Sequence, residues 1–97
     1  MATYVALVNW TDQGVRDFRG TVDRADAVAD VAQRLGGTQT ALYWTVGPYD
    51  LVAISEFPDD ETATAFALAV SSEGNVRTTS MRAFDADEMR TIIGKLG

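Results

Sequence analysis

The sequence predicts an α+β domain, in which two helices cover a four-stranded antiparallel sheet and a short helix ends the chain. Four segments are rich in β-branched and aromatic residues and follow no helical period. Two segments between them place apolar residues at helical spacing. Gly47-Pro48 joins the second and third strand segments so closely that these strands must pair antiparallel. The order is therefore β-α-β-β-α-β plus a helix, within one domain of residues 1–97.

The first half of the chain contains the first strand and the first long helix. Residues 3–10 form the strand, a break follows, and residues 15–20 hold a helical turn. The first long helix spans residues 22–35, with Thr21 as its N-cap. Gly36-Gly37 ends this helix, because glycine readily adopts the left-handed conformation found beyond helix ends.

The middle of the chain contains the antiparallel hairpin and the second long helix. The second strand spans residues 38–46, and the third spans residues 50–57. Pro58 lies just outside the second helix, and one of the two aspartates that follow it caps that helix. The buried stripe of this helix consists of Ala63, Phe66, Ala67 and Val70.

The last quarter of the chain contains the fourth strand and a short helix. The strand spans residues 76–84, and its alternation slips between Val76 and Met81, which indicates a β-bulge. Asp85 and Glu88 have the spacing of a capping box at the start of the last helix. That helix carries an apolar face of Met89, Ile92, Ile93 and Leu96.

Composition excludes several kinds of chemistry. The chain has neither cysteine nor histidine, so it can form no disulfide, thiolate nucleophile or His- or Cys-ligated metal site, although a carboxylate Ca²⁺ or Mg²⁺ site remains open. We therefore expect no cofactor. The net charge of −6 makes nucleic acid and anionic membranes poor partners. The N-terminus has no basic region followed by a long apolar one, so we expect a cytoplasmic protein.

Both faces of the predicted sheet are apolar, although two helices cover only one of them. In the first strand, one face carries Tyr4, Ala6, Val8 and Trp10, and the other carries Val5 and Leu7. In the third strand, one face carries Leu51, Ala53 and Phe57, and the other carries Val52 and Ile54. An exposed apolar face of this size is unusual for a monomer. The pattern predicts a homo-oligomer. The alternative is that the last helix folds over the open face.

Three separated segments resemble the GYD-domain family over essentially the whole chain. They are Thr3–Thr11, the Gly-Pro-Tyr-Asp-Leu-Val turn at residues 47–52, and Gly-Asn-Val-Arg-Thr-Thr at residues 74–79. Pro48 occupies the variable position of the Gly-x-Tyr-Asp motif. The resemblance implies a ferredoxin-like fold of the dimeric α+β barrel group. It does not imply one activity, because that group includes cofactor-independent monooxygenases, haem enzymes and lactone isomerases.

The turn also resembles that of AsnC-type ligand-binding domains, which bind small amino acids between subunits. On this resemblance Tyr49 and Asp50 are candidate ligand residues at a subunit boundary. The alternative is that Asp50 bonds neighbouring backbone N–H groups and fixes the hairpin, as aspartate does in turns.

Three further residues are candidates for the same ligand site. Arg77 and Asn75 are polar residues at the start of the fourth strand, and Arg77 could bind an anionic group. Its alternative role is an ion pair with an acidic residue of the same or a second subunit. Trp44 could line an apolar pocket, or it could be a plain core or interface residue.

These observations leave three hypotheses about function. The first is a stand-alone binding and oligomerisation module, with a small, mostly apolar molecule at or near the subunit interface. The second is a small cofactor-independent enzyme, such as an oxygenase, isomerase or cyclase, acting on an aromatic substrate. The third is a structural subunit of a larger assembly. The first two require a pocket, whereas the third does not.

Overall fold

A computed structural model describes residues 1–97 as four strands, four helices and one 3-10 turn at Phe18–Gly20. The strands are β1 (Ala2–Trp10), β2 (Thr38–Trp44), β3 (Leu51–Phe57) and β4 (Val76–Ala83). The helices are α1 (Asp12–Arg16), α2 (Thr21–Arg34), α3 (Asp60–Ser72) and α4 (Ala86–Gly94). The sheet has the order β2-β3-β1-β4 with every neighbouring pair antiparallel, which confirms the predicted ferredoxin-like class.

The two faces of the sheet differ in what covers them. Helices α2 and α3 lie on the face that we call the covered face, where Val8, Leu51, Ala53 and Phe57 are buried. The opposite, open face carries alternate residues of the same strands, and no helix lies on it. Its apolar residues include Val5, Leu7, Val52, Ile54 and Met81. The apolar character predicted for both faces is therefore present.

The bulge predicted in β4 is wrong. β4 pairs with β1 in continuous register, and the irregularity lies in β2, between Gln39 and Ala41. The alternation of β4 is hidden in the sequence because Thr78, Ser80 and Arg82 are polar although they belong to the covered face. What changes along β4 is the polarity of the inward residues and not the pairing.

Two helix starts were predicted correctly and one was not. The Asp59 carboxylate caps α3 by accepting hydrogen bonds from the Thr62 hydroxyl and backbone N–H, which lower the pKa of Asp59. The capping box of Asp85 and Glu88 is present at α4. Thr21, in contrast, makes no side-chain cap. It is the first residue of α2, and its hydroxyl accepts a hydrogen bond from another part of the chain.

The segment predicted as a break after the first strand is helical. Thr11 caps α1, because its hydroxyl accepts a hydrogen bond from the Gly14 N–H at 3.1 Å. Gly14 is buried against Asn75, at the start of β4. The close approach of α1 to this backbone leaves no room for a side chain at Gly14.

α4 projects from the rest of the domain, and the whole chain, including this helix, is 52 Å long. It packs extensively against no other element, and one ion pair, Arg82–Glu88 at 3.5 Å, connects it to β4. Ile93 on its apolar face is 54% exposed, and Leu96, two residues beyond the end of the helix, is 87% exposed. The alternative in which this helix folds over the open face is therefore not what the structure has. None of the four helices has the length and apolar character needed to cross a membrane.

Candidate functional site

A cavity of about 530 Å³ lies between the helices and the covered face of the sheet. It exists because most inward residues of the two helices, apart from Phe66, are small, so that neither helix fills the space above the strands. Ala25 and Val28 border it from α2, and Ala67 and Val70 border it from α3. Trp10 closes one end of the floor. We call it the apolar cavity, since most of its lining is apolar.

A second cavity of about 390 Å³ adjoins the first, beside the start of α3. The two cavities share lining residues, namely Ala6, Phe66, Ala67, Thr78 and Ser80. The lining that belongs to the second cavity alone is largely polar and includes Tyr4, Ser55, Asp60, Thr64 and Arg82. We call it the polar cavity. Together the two cavities form one groove with chemically different ends.

The strand register explains why one end of the groove is polar. Gln39, Ser55, Tyr4 and Arg82 are paired neighbours across all four strands on the covered face, and we call these four residues the polar row. The next covered-face row consists of Leu42, Ala53, Ala6 and Ser80, and the one after it of Trp44, Leu51, Val8 and Thr78. Polarity therefore decreases along the strands, from the polar row toward Trp10.

Tyr4 and Asp60 form the shortest polar contact of the groove. The Tyr4 hydroxyl donates a hydrogen bond to Asp60 Oδ1 at 2.5 Å. This hydrogen bond, together with desolvation and the negative charge of Asp60, raises the pKa of Tyr4 to about 12. Tyr4 is therefore protonated and neutral throughout the physiological range.

Arg82 is fixed in place on the wall of the polar cavity. Its guanidinium lies 4.4 Å from the ring centroid of Phe84 and 5.7 Å from that of Tyr4. Nη1 donates hydrogen bonds to the Thr3 and Ala83 carbonyls, and Nη2 lies 3.5 Å from Glu88. Because a guanidinium has five N–H donors, Arg82 retains donors that this chain does not use.

Ser55 is the one polar residue among the buried side chains of β3. It is 5% exposed and its hydroxyl makes no hydrogen bond within the chain. Every side-chain polar atom that is completely buried has a hydrogen-bond partner. The Ser55 hydroxyl has none, so it is not completely buried, and solvent reaches it through the polar cavity that it borders. Because no group of the chain bonds to it, this hydroxyl is free to bond to a molecule in the polar cavity.

The predicted residues Tyr49 and Asp50 lie in the turn between β2 and β3. The Trp10 N–H donates to Asp50 Oδ2 at 2.9 Å, and the Asp50 N–H donates to the Val8 carbonyl at 2.8 Å. Thr45 donates its hydroxyl proton to the Tyr49 carbonyl at 2.6 Å. These bonds tie the turn to the end of β1, as the structural alternative for Asp50 requires.

The other three predicted residues lie at the same end of the sheet but not around one pocket. Asn75 borders the apolar cavity, and its side-chain oxygen accepts a hydrogen bond from Gln13 at 3.0 Å. Trp44 Nε1 donates to the Thr21 hydroxyl at 3.0 Å. Arg77 lies on the open face opposite Asn9 and forms no ion pair within the chain. A role in ligand binding stays a prediction for each of them.

The residues of the polar row and Asp60 were missed as a group. A signal for some of them is present in the sequence, because Ser55, Ser80 and Arg82 are polar residues at inward positions of strands. In β4 these polar residues imitate the break in alternation that a bulge produces. Asp60 could not have been found in this way, since only the packing of α3 brings it to Tyr4.

Fold and cavities together define an α+β domain of ferredoxin-like topology with a groove between its sheet and its helices. The family model described as GYD domain matches residues 4–93, and the chain therefore belongs to the GYD domain family.

Relatives of known sequence or structure cover nearly the whole chain. The "Glutamine synthetase and cystathionine beta-lyase binding protein" of Thermus thermophilus is 29% identical over 90 residues, which are 92% of this chain and 95% of that protein. A crystal structure of a Thermus thermophilus protein has a TM-score of 0.58 at 26% identity and covers 89% of this chain and 96% of its own. The structure of FFRP-DM1, at 16% identity, has a TM-score of 0.59, covers 87% and 100% of the two chains, and supports the fold alone.

Proposed function

We propose that this protein is a homo-oligomeric binding module that holds a small, mostly apolar molecule in the groove between sheet and helices. The observation that carries the proposal is the apolar cavity, whose volume of about 530 Å³ falls within the range of small-molecule sites. The first hypothesis requires such a cavity, whereas a purely structural subunit has no need of one.

Self-association is the second part of the proposal. The open face and the apolar face of α4 are two apolar surfaces of one chain that do not cover each other. A second copy can cover both reciprocally about a two-fold axis. At about 25 cal/mol per Å², burying several hundred Å² of such surface favours association strongly before entropic costs. The groove would then lie one sheet thickness from the subunit interface.

The experiment for the first part fills the apolar cavity. Ala67 borders both cavities, so Ala67→Phe places a ring in the groove without adding charge. We expect the wild type to bind octanol in isothermal titration calorimetry, and Ala67→Phe to lose that binding while remaining folded. Ala65→Phe, at an exposed position of the same helix, is the matched control and should bind like the wild type. Equal binding by all three proteins would refute a site in the groove.

Light scattering of the wild type tests the second part directly. A homo-oligomer has a mass that is a multiple of the 10.5 kDa chain. A mass equal to one chain at micromolar concentration would contradict self-association and leave the groove proposal to the calorimetry.

A second candidate function is suggested by the name of the Thermus thermophilus relative, which describes it as a binding protein of two enzymes. In this candidate the exposed apolar side chains of the open face and of α4 contact another protein and not a second copy. Sedimentation of the chain with purified glutamine synthetase and with purified cystathionine β-lyase separates the two. Co-sedimentation that Ala67→Phe leaves intact would favour the protein-binding candidate.

A further inference from the structure

We infer that the molecule bound in the groove is an amphipathic carboxylic acid, with its apolar body in the apolar cavity and its carboxylate on the polar row. This inference rests on the proposed function, and it adds the orientation and the chemical class of the bound molecule. It is carried by three features of the groove: its gradient of polarity, the unpartnered Ser55 hydroxyl, and the fixed cation Arg82.

The gradient of polarity defines the shape and orientation of the molecule. Tyr4 and Trp10 lie on the same face of β1, six residues apart, and are therefore separated by about 20 Å at ~3.3 Å per residue. The floor between them changes from the polar row to apolar side chains such as Val8 and Leu51. A molecule that is polar throughout would leave polar atoms unpaired above the middle of this floor, at Ala53, Leu51 and Val8. A molecule that is apolar throughout would exclude water from the polar row without forming hydrogen bonds to it.

Ser55 indicates that the head group forms hydrogen bonds. Its hydroxyl is buried, lacks a partner in the chain and faces the polar cavity. A head-group oxygen at this position accepts the hydroxyl proton, which no group of the chain accepts. Ser80 and Thr78 border the same cavity, and their side chains likewise have no hydrogen bond within the chain. Both lie on β4, two strand spacings or about 10 Å from Ser55 on β3, so Ser55 is the hydroxyl that bonds to the head group while Ser80 and Thr78 contact the molecule elsewhere.

Charge selects a carboxylate over an ammonium group. Arg82 is held on the cavity wall by two rings, two backbone carbonyls and an ion pair with Glu88 at 3.5 Å, and it keeps unused N–H donors that face the cavity. The Asp60 carboxylate, which borders the same cavity, already accepts a hydrogen bond from Tyr4. A second cation, Arg34, borders the apolar cavity from the last turn of α2 and forms no ion pair. Arginine donors match the geometry of a carboxylate.

The test compares three probes that share one chain and differ in head group: octanoate, octanol and octylamine. Isothermal titration calorimetry at neutral pH should show octanoate binding at least about tenfold more tightly than octanol, the gain typical of hydrogen bonds to charged groups. Octylamine should bind more weakly than octanol. Ser55→Ala should weaken octanoate binding about two- to tenfold, the typical effect of one hydrogen bond.

The variant and its control separate a ligand role of Ser55 from a structural one. Ser55→Ala breaks no hydrogen bond of the chain, so its unfolding midpoint should not fall below that of the wild type. Ser71→Ala, at an exposed position of α3 that borders neither cavity, should leave both octanoate affinity and stability unchanged.

Each remaining outcome refutes a defined part of the proposal. If octanol or octylamine binds as tightly as octanoate, or if Ser55→Ala binds octanoate like the wild type, the carboxylate inference is wrong. The proposed function survives that result, provided that Ala67→Phe still abolishes binding. If the wild type binds none of the three probes, the groove is not a binding site and both proposals fail together.

Discussion

The covered and open faces of the sheet are built by alternate residues of the same strands, yet they have opposite shapes. On the covered face, two helices whose inward residues are mostly small leave a groove with a polar end. On the open face, Val5, Leu7, Val52 and Ile54 present larger apolar side chains with nothing above them. A concave surface surrounds a small molecule, whereas a flat one matches another protein surface. One strand pattern thus supplies two kinds of binding surface.

The largest expected effect contrasts a residue of β3 on each face. Phe57 is 1% exposed and packs against Phe66 at a centroid distance of 5.0 Å. We expect Phe57→Ala to lower the free energy of unfolding by about 3–5 kcal/mol. Ile54→Ala should lower the free energy of unfolding less than this in dilute protein and more in concentrated protein. The reason is that association, which increases with concentration, stabilises the chain through its open face. Urea unfolding at two protein concentrations measures both effects. An Ile54→Ala cost that does not change with concentration would remove the distinction between the faces.

A smaller effect is expected where α1 closes the Trp10 end of the covered face. A methyl group at Gly14 would overlap the Asn75 carbonyl oxygen, so the backbone must move. We expect Gly14→Ala to cost about 1–3 kcal/mol, as overpacking typically does. Gly94→Ala is the matched control, because a methyl group there meets open space in α4. It should be neutral or slightly stabilising, and thermal unfolding compares the two. An unchanged midpoint for Gly14→Ala would contradict the packing of α1 on β4.

The smallest effect concerns the polar end of the covered face. Asp60→Ala removes the acceptor of the Tyr4 proton, so the pKa of Tyr4 should fall from about 12 toward its ordinary value of 10.0. Between these values the unfolded chain loses the Tyr4 proton while the folded chain keeps it. Wild-type stability therefore decreases with rising pH in this window, and the decrease should vanish in Asp60→Ala.

Ultraviolet absorbance of tyrosinate follows this titration. The last tyrosine ionisation as the pH rises, which we call the late step, should be absent in Tyr4→Phe. If the late step persists in Tyr4→Phe, it belongs to another tyrosine. In that case the hydrogen bond to Asp60 is not what holds the Tyr4 proton.

Most of the fold could be predicted from the sequence because its determinants are local. Alternation along β3, the Gly47-Pro48 turn and the caps at Asp59 and Asp85 each depend on residues close together in the chain. The end of a helix is harder to place where another helical turn runs into it. Thr21 is no cap because its backbone is already helical, with φ −63° and ψ −37°, directly after the 3-10 turn at Phe18–Gly20.

The groove was much harder to predict than the fold. Small residues on a helix stripe are compatible with close packing as well as with a hollow, and only the distance between helices and sheet decides between them. The polar row depends on the register of all four strands at once. Tyr4 and Arg82 become neighbours through pairing between residues 78 positions apart, which no local pattern specifies.

Amide hydrogen exchange in the projecting helix α4 reports whether its apolar side is covered. A helix of nine residues is marginal in water on its own. Here a capping box, an Arg90–Asp87 contact of 2.5 Å and the ion pair of Glu88 with Arg82 support it. Its amide protons should therefore exchange with deuterium quickly whenever its apolar side is uncovered. Those of β1, in the middle of the sheet, should exchange only on global opening. Exchange at Ile92 and Ile93 thus records how long this helix stays covered, independently of how stable the domain is.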